Sequence, residues 1–251
     1  MKVFITGASS GIGEALARHY GSLHCALGLF ARRREALDAL AATIASECLT
    51  YGGDVRDAAA LQAAGEDFVR RLGAPDIVIA NAGISVGTST QHPEDASVFG
   101  AILDTNLRGL VHTFQPFLPA MLEAKKGALV GIASVAGFRG LPGAGAYSAS
   151  KAGAIAYLES LRVELRASGV KVITVCPGYV ATPMTARNPY RMPFMLSVDD
   201  AAKRIARAIA RGGRFHVIPW QMALIGRLLR VLPRPIYDAL FARAKRKPRA
   251  T

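Results

Sequence analysis

Short apolar runs recur along this chain, each closed by glycines or small residues and followed by a longer stretch of helical periodicity. The runs are Lys2–Thr6, Cys25–Ala31, Leu49–Gly53, Asp76–Ala80, Ala128–Ala133 and Val170–Cys176. Near-continuous apolar segments of this length predict strands buried on both faces. Helical patterns are expected from the first glycine cluster through Tyr20, over Arg56–Leu72 with Gly73-Ala-Pro75 as stop, and over Pro93–Glu123. Another is expected from Tyr147 to about Ser168, ended by Gly169. Ser197 is placed to cap a last regular helix, with Asp199 and Asp200 in its first turn, and Arg214–Ile218 is a candidate seventh strand. Strand and helix alternating throughout predict an α/β fold, a doubly wound parallel sheet with helices on both faces. No internal repeat or long linker divides it. One domain over residues 1–218 and an extension over 219–251 are expected.

The strand ends carry the chemistry, which is where open parallel sheets bind ligands. The first strand runs into Gly7-Ala-Ser-Ser-Gly11-Ile-Gly13, then into a helix. Glycines let a backbone approach a pyrophosphate while helix N-terminal amides face the anion, so Gly7, Ser9, Ser10, Gly11, Ile12 and Gly13 are expected at a dinucleotide. The second strand ends at Ala31 with Arg32-Arg33-Arg34, where an acid would bond ribose hydroxyls. Guanidinium groups in place of that acid suit a 2′-phosphate and favour NADP(H) over NAD(H), with Arg32 or Arg33 on the phosphate. Asp54 and Val55 follow the third strand, within reach of an adenine ring. Asn81, Ala82 and Gly83 follow the fourth and are small enough for close cofactor contact.

Tyr147 and Lys151 stand one helical turn apart, on one face. A free phenol titrates near ~10, and an ammonium beside it would favour loss of its proton. Ser134 lies thirteen residues upstream of Tyr147 at a strand's C-terminal edge. Asn106 sits inside a helical stretch that it suits poorly, as a tolerated polar position or a functional one.

Residues 179–197 hold three of the six methionines with Tyr179, Tyr190, Pro189, Pro193 and Phe194. This texture is that of a lid over an apolar pocket or of a packed loop. The net charge of +13 is uneven. Residues 203–251 carry 13 Lys/Arg against one acid, Asp238, while the body is nearly neutral. In this tail Trp220, Leu224, Ile225, Leu228, Leu229 and Leu232 form an apolar stripe, followed by Ile236, Leu240 and Phe241. Such a helix lies on an anionic membrane surface, packs on the body or contacts another protomer. Nucleic acid ranks lower, because few aromatics interleave the cations. Cys25, Cys48 and Cys176 are scattered and odd in number, which fits a reducing, cytoplasmic setting, with the tail as a candidate peripheral membrane contact, and the histidines show no metal-ligand spacing. Glycines, Glu14 and Arg18 interrupt any leader-like run in residues 1–30, and no run of about 18 apolar residues would span a bilayer.

Together, Thr6–Gly13, Asp54-Val55, Asn81-Ala-Gly83, Asn106, Ser134, Tyr147-x-x-x-Lys151 and Pro177-Gly178 resemble the compact, single-domain branch of the short-chain dehydrogenase/reductase superfamily, over roughly residues 1–217. The resemblance implies a Rossmann-like fold, a nicotinamide cofactor, and a small carbonyl or alcohol substrate. It also implies a homodimer or homotetramer. It implies Tyr147 as general acid/base, Ser134 polarising the substrate carbonyl and Lys151 on the nicotinamide ribose, lowering the pKa of Tyr147. Asn106 would hold a relay water, and Pro177, Gly178 and Thr182 would border the nicotinamide. Ser10 stands where some NADP-using members place a basic residue, so cofactor preference rests on Arg32 and Arg33. The competing reading is a dinucleotide-binding regulator or scaffold without catalysis.

Overall fold

Side chains on the strands alternate between two apolar faces. On β1 (Lys2–Thr6), Val3 and Ile5 point to one face and Phe4 to the other, all fully buried. A sheet apolar on both faces needs helices on both, and the computed structural model, which describes residues 1–249, has that arrangement. Its remaining strands are β2 (Ala26–Ala31), β3 (Cys48–Gly52), β4 (Ile77–Ala80), β5 (Ala128–Ile132), β6 (Lys171–Pro177) and β7 (Phe215–Ile218). All pair in parallel, in the order β3-β2-β1-β4-β5-β6-β7. The expected doubly wound, Rossmann-like sheet is therefore present, with Arg214–Ile218 supplying its seventh strand.

The helices are α1 (Gly11–Ser22), α2 (Arg34–Ala41), α3 (Ala58–Leu72), α4 (Asp95–Leu103), α5 (Gly109–Phe114), α6 (Leu118–Glu123), α7 (Gly145–Glu164), α8 (Val198–Ala210), α9 (Trp220–Val231) and α10 (Arg234–Phe241). Leu16 of α1, Leu37 of α2 and Ile205 of α8 pack with Val3, Ile5, Leu27 and Leu29. On the other face Phe4 meets Phe117 at 4.5 Å and Phe68 edge-on at 5.6 Å between ring centres. Gly28 leaves room for them, since a Cβ there would lie 2.5 Å from the Phe4 ring.

The single helix expected over Pro93–Glu123 is three helices. Between α4 and α5 the backbone widens into a π-helical segment over Asp104–Arg108, centred on Asn106. A second break precedes α6, where Pro116 removes a helical donor. The helix expected from Arg56 begins at Ala58, because the Asp57 carboxylate caps it by accepting from the Ala59 and Ala60 amides.

The basic extension folds back onto the body. In α9, Met222 and Gly226 face inward. Gly226 is required there, because a Cβ would fall 2.3 Å from the Phe138 ring. Arg139 donates from Nη1 to the carbonyls of Leu229 and Leu232, both at 2.9 Å, and its guanidinium lies 4.3 Å over the Tyr237 ring. It thereby satisfies carbonyls at the end of α9 that have no helical partner. Tyr237 donates to the carbonyl of Gly140.

Beyond α10 the chain crosses to the loop after β4. The Gly87 amide donates to the Pro248 carbonyl at 2.8 Å, and Lys247 Nζ donates to Ser85 Oγ at 2.8 Å. Arg249 Nε donates to Asp95 Oδ2 at 2.8 Å, and its Nη2 reaches Asp95 Oδ1 at 3.1 Å and Glu94 Oε1 at 2.7 Å. Asp95 is buried, and Oδ2 also accepts from the Ser89 amide at 2.8 Å. The bidentate guanidinium, then the Ser89 N–H, hold this carboxyl below the usual range. A depressed carboxylate contributes stability that is fully present above its unfolded pKa of ~3.9 and is lost as pH falls through the folded value. Arg249→Ala is therefore expected to lower the melting temperature at neutral pH and to make cleavage after Arg243 or Lys245 faster. The difference from the unmodified chain should close as pH falls below ~4. Calorimetry across that pH range checks this, and a melting difference independent of pH refutes it.

Candidate active site

The sheet order reverses between β1 and β4, and the crevice opens at their C-terminal ends. Asn81, just after β4, bridges it. Its Nδ2 donates to the carbonyls of Thr6 (3.1 Å) and Gly7 (3.3 Å), while the buried Thr6 Oγ1 accepts from the Asn81 amide at 3.2 Å. Gly7 (φ 67°) and Gly11 (φ 58°) adopt left-handed backbone that favours glycine. The Ser10 side chain does not cap α1, so the amides of its first turn have no side-chain partner. A helix N-terminus presented in this way is an anion cradle.

A cleft of about 350 Å3 runs from this turn along the strand edge. Gly7, Ser9, Ser10, Gly11 and Ile12 line one end together with Arg32, Arg33, Asp54 and Val55. Arg33 is oriented by donating to the Ser9 carbonyl at 3.0 Å. Asp54 is held by Arg56, first through the 2.7 Å guanidinium bond, so its carboxyl stays low. Asn81, Ala82 and Gly83 line the middle. Ser134, Tyr147, Lys151, Pro177, Gly178 and Thr182 line the other end. Gly13, expected at the cofactor, stands behind the wall instead. Its Cβ position would be 2.3 Å from the Gly7 carbonyl oxygen, so its task is close packing of α1 on the turn.

Asn106 also lies behind the wall. The π-helical turn aims its carboxamide at the loop after β4, where Oδ1 accepts from the Ile84 amide at 2.8 Å and Nδ2 donates to the Ile84 carbonyl at 2.9 Å. Nδ2 also reaches Ser150 Oγ at 3.0 Å, and Ser150 in turn donates to the Tyr147 carbonyl at 2.8 Å. Asn106 thus joins the loop to the Tyr147 helix. Ser150 was not singled out in the sequence, although it lies inside the Tyr147–Lys151 stretch. Met184 and Thr185 line the cleft from the segment 179–197, in keeping with its reading as a lid, whereas Thr105 lines it unforeseen, because a single residue in a distorted helix carries no periodic signal.

Lys151 is buried and donates from Nζ to the Ile132 carbonyl at 2.8 Å, 5.9 Å from the centre of the Tyr147 ring. Burial brings its pKa down to about 8. Contrary to the expected lowering, the Tyr147 phenol is raised. Loss of solvent is the larger effect, and the neighbouring Ser134 hydroxyl pulls it only part of the way back. Ser134 Oγ accepts from the Ala136 amide at 3.1 Å, which fixes the hydroxyl at the end of β5. The segment 179–197 crosses this end with a single bridge between Val180 and Leu196. Tyr179 and Tyr190 lie 6.4 Å apart within it, and the Tyr190 phenol is within electrostatic reach of Tyr147.

The profile of the short chain dehydrogenase family matches residues 1–192. An uncharacterised oxidoreductase of Myxococcus xanthus is 39% identical over 246 residues, covering 96% of each chain. A putative ketoacyl reductase of Streptomyces coelicolor is 34% identical over 215 residues, 83% of this chain and 82% of that one. Among solved structures, a variant of actinorhodin polyketide ketoreductase with NADPH superposes with a TM-score of 0.78 at 28% identity, covering 86% of this chain and 95% of that one. The glycine turn, the uncapped α1 and the Ser134, Tyr147 and Lys151 cluster on one cleft agree with these matches, and the chain belongs to the short-chain dehydrogenase family of oxidoreductases.

Proposed function

We propose that this chain is an NADP(H)-dependent oxidoreductase interconverting a carbonyl and a secondary alcohol on an apolar molecule. One observation carries the reading. A single cleft has an anion cradle with Arg33 at one end and Ser134, Tyr147 and Lys151 at the other. The residues present fit a nicotinamide dinucleotide. The first-turn amides of α1 would hold the pyrophosphate, Arg32 and Arg33 a 2′-phosphate, Asp54 and Val55 the adenine, and Asn81, Ala82 and Gly83 the ribose and its surroundings. Pro177, Gly178 and Thr182 would border the nicotinamide, which when bound supplies or accepts the hydride.

The protein's part is proton transfer and orientation. Tyr147 donates its phenolic proton to the substrate oxygen, and its raised pKa keeps that proton in place at neutral pH, as an acid requires. Ser134 donates a second hydrogen bond to the same oxygen as charge develops there. Lys151, still largely protonated at neutral pH with a pKa of about 8, would hold the nicotinamide ribose and favour return of the proton in oxidation. Asn106 positions a water in a relay to Lys151. Its Oδ1 and Lys151 Nζ converge on Gly83, 3.2 and 3.6 Å from that residue's Cβ position. Val180 and Met184, which line the cleft from the covering segment, support an apolar substrate, as does the similarity to a putative ketoacyl reductase. Assembly as a homodimer or homotetramer is part of this reading, supported by exposed Phe99 on α4 and Val163 on α7.

Tyr147→Phe should lower turnover by roughly 10²–10⁴-fold, the usual worth of a positioned acid, while dinucleotide binding survives. NADPH oxidation with a panel of ketones and aldehydes reads this, and a variant keeping most of its activity refutes the role. NADPH should bind tighter than NADH. A charged hydrogen bond to phosphate is worth about 1.5–3 kcal/mol, so Arg33→Ala should weaken NADPH by roughly ten-fold or more and leave NADH nearly unchanged. Equal affinity of the unmodified chain for both dinucleotides, by titration calorimetry, would overturn the preference.

A further inference from the structure

The apolar stripe of the tail is divided by folding. On α9, Met222 and Gly226 turn to the body, with Ile225 and Leu229 half-buried beside them. Trp220, Leu224, Leu228 and Val231 recur at helical spacing on the opposite side and face outward, and α10 adds Ile236 and Leu240. These six run from 50% exposed at Ile236 to 76% at Val231. Scattered exposed leucines are ordinary, whereas a row on one face of a packed helix calls for a covering phase.

The charge around this face selects that phase. Arg227 and Arg230 on α9, Arg234 on α10, and Arg243 and Lys245 just beyond α10 are all exposed, and none is in an ion pair among the described residues. Asp238 is the sole acid from residue 203 onward. A second copy of this face would bring like charge to like charge, since a two-fold contact apposes one patch with itself. A polynucleotide would satisfy the cations and leave six apolar side chains in water. We infer that the outer face of α9 and α10 seats on an anionic lipid bilayer, its apolar row entering the acyl boundary and its cations meeting the headgroups. Among the described residues no helix is long and apolar enough to cross a membrane, so the proposed contact lies in the interface plane.

The inner side of the same helix touches the site. Met222 packs over Gly178, and Gly226 receives Phe138, four residues beyond Ser134. A bilayer on the outer face would thus lie about one helix diameter, ~10 Å, from the cleft wall. If the substrate is the apolar carbonyl proposed above, it is taken from the lipid phase. That consequence rests on the proposed activity, and the docking does not.

Trp220 is the chain's one tryptophan and lies on this face, so it reports contact directly. With vesicles of phosphatidylcholine and phosphatidylglycerol at low salt, the full chain should co-sediment, its emission should shift to the blue, and brominated acyl chains should quench it. High salt should reduce the bound fraction several-fold by screening, and pure phosphatidylcholine should bind little. Leu224→Glu/Leu228→Glu should abolish both signals, and Arg227→Glu/Arg230→Glu should weaken binding, with unchanged circular dichroism and dinucleotide affinity in each. Emission indifferent to every vesicle overturns the inference. So does a concentration-dependent dimer that Leu224→Glu/Leu228→Glu dissolves without vesicle binding, or salt-sensitive capture by oligonucleotide alone.

Discussion

Everything in this molecule hangs on the point where the sheet reverses direction. Two strands that feed opposite halves of a parallel sheet must separate at their ends, which exposes the Thr6 and Gly7 carbonyls in a crevice. The Asn81 carboxamide satisfies both. An unsatisfied buried carbonyl costs about 1–3 kcal/mol, so this one side chain fixes how closely the two halves approach. That distance leaves no room for side chains at Gly7 or Gly13, because a Cβ at either would fall within 2.8 Å of backbone. The glycine turn is therefore a packing requirement of the reversal as well as a cradle for an anion.

A second carboxamide sets the reacting end. Asn106 can reach the backbone of Ile84 and the hydroxyl of Ser150 only because the helix around it widens by one residue per turn. A regular helix would have carried the side chain past both partners. The distortion places a fixed polar group between two elements of the site, a common setting for local departures from regular structure.

The fold was legible where physical periodicity is strong. Strands buried on both faces leave apolar runs that stand out, with the glycine turn and Ser134 at their ends and Tyr147 and Lys151 one turn apart on the helix after Ser134. Three features were not legible. The π-helical turn at Asn106 leaves no periodic trace. The pairing of Arg249 with Asp95 joins single residues 154 positions apart, which no local pattern encodes. The pKa of Tyr147 moves up because burial outweighs the hydrogen bond from Ser134, and burial is a property of the packed molecule rather than of the spacing. The tail was half legible, since amphipathic spacing reveals an apolar face without saying which part of it the body covers.

Arg139 has a meaning beyond capping. It sits in the crossover that leads from Ser134 to Tyr147, yet its guanidinium holds the end of α9 and the ring of Tyr237. The tail and the reacting end therefore share one mechanical element. Thermodynamic linkage makes such sharing reciprocal. A ligand that ordered the crossover would seat α9 and α10 more firmly, and a contact that held the tail would order the crossover in equal measure.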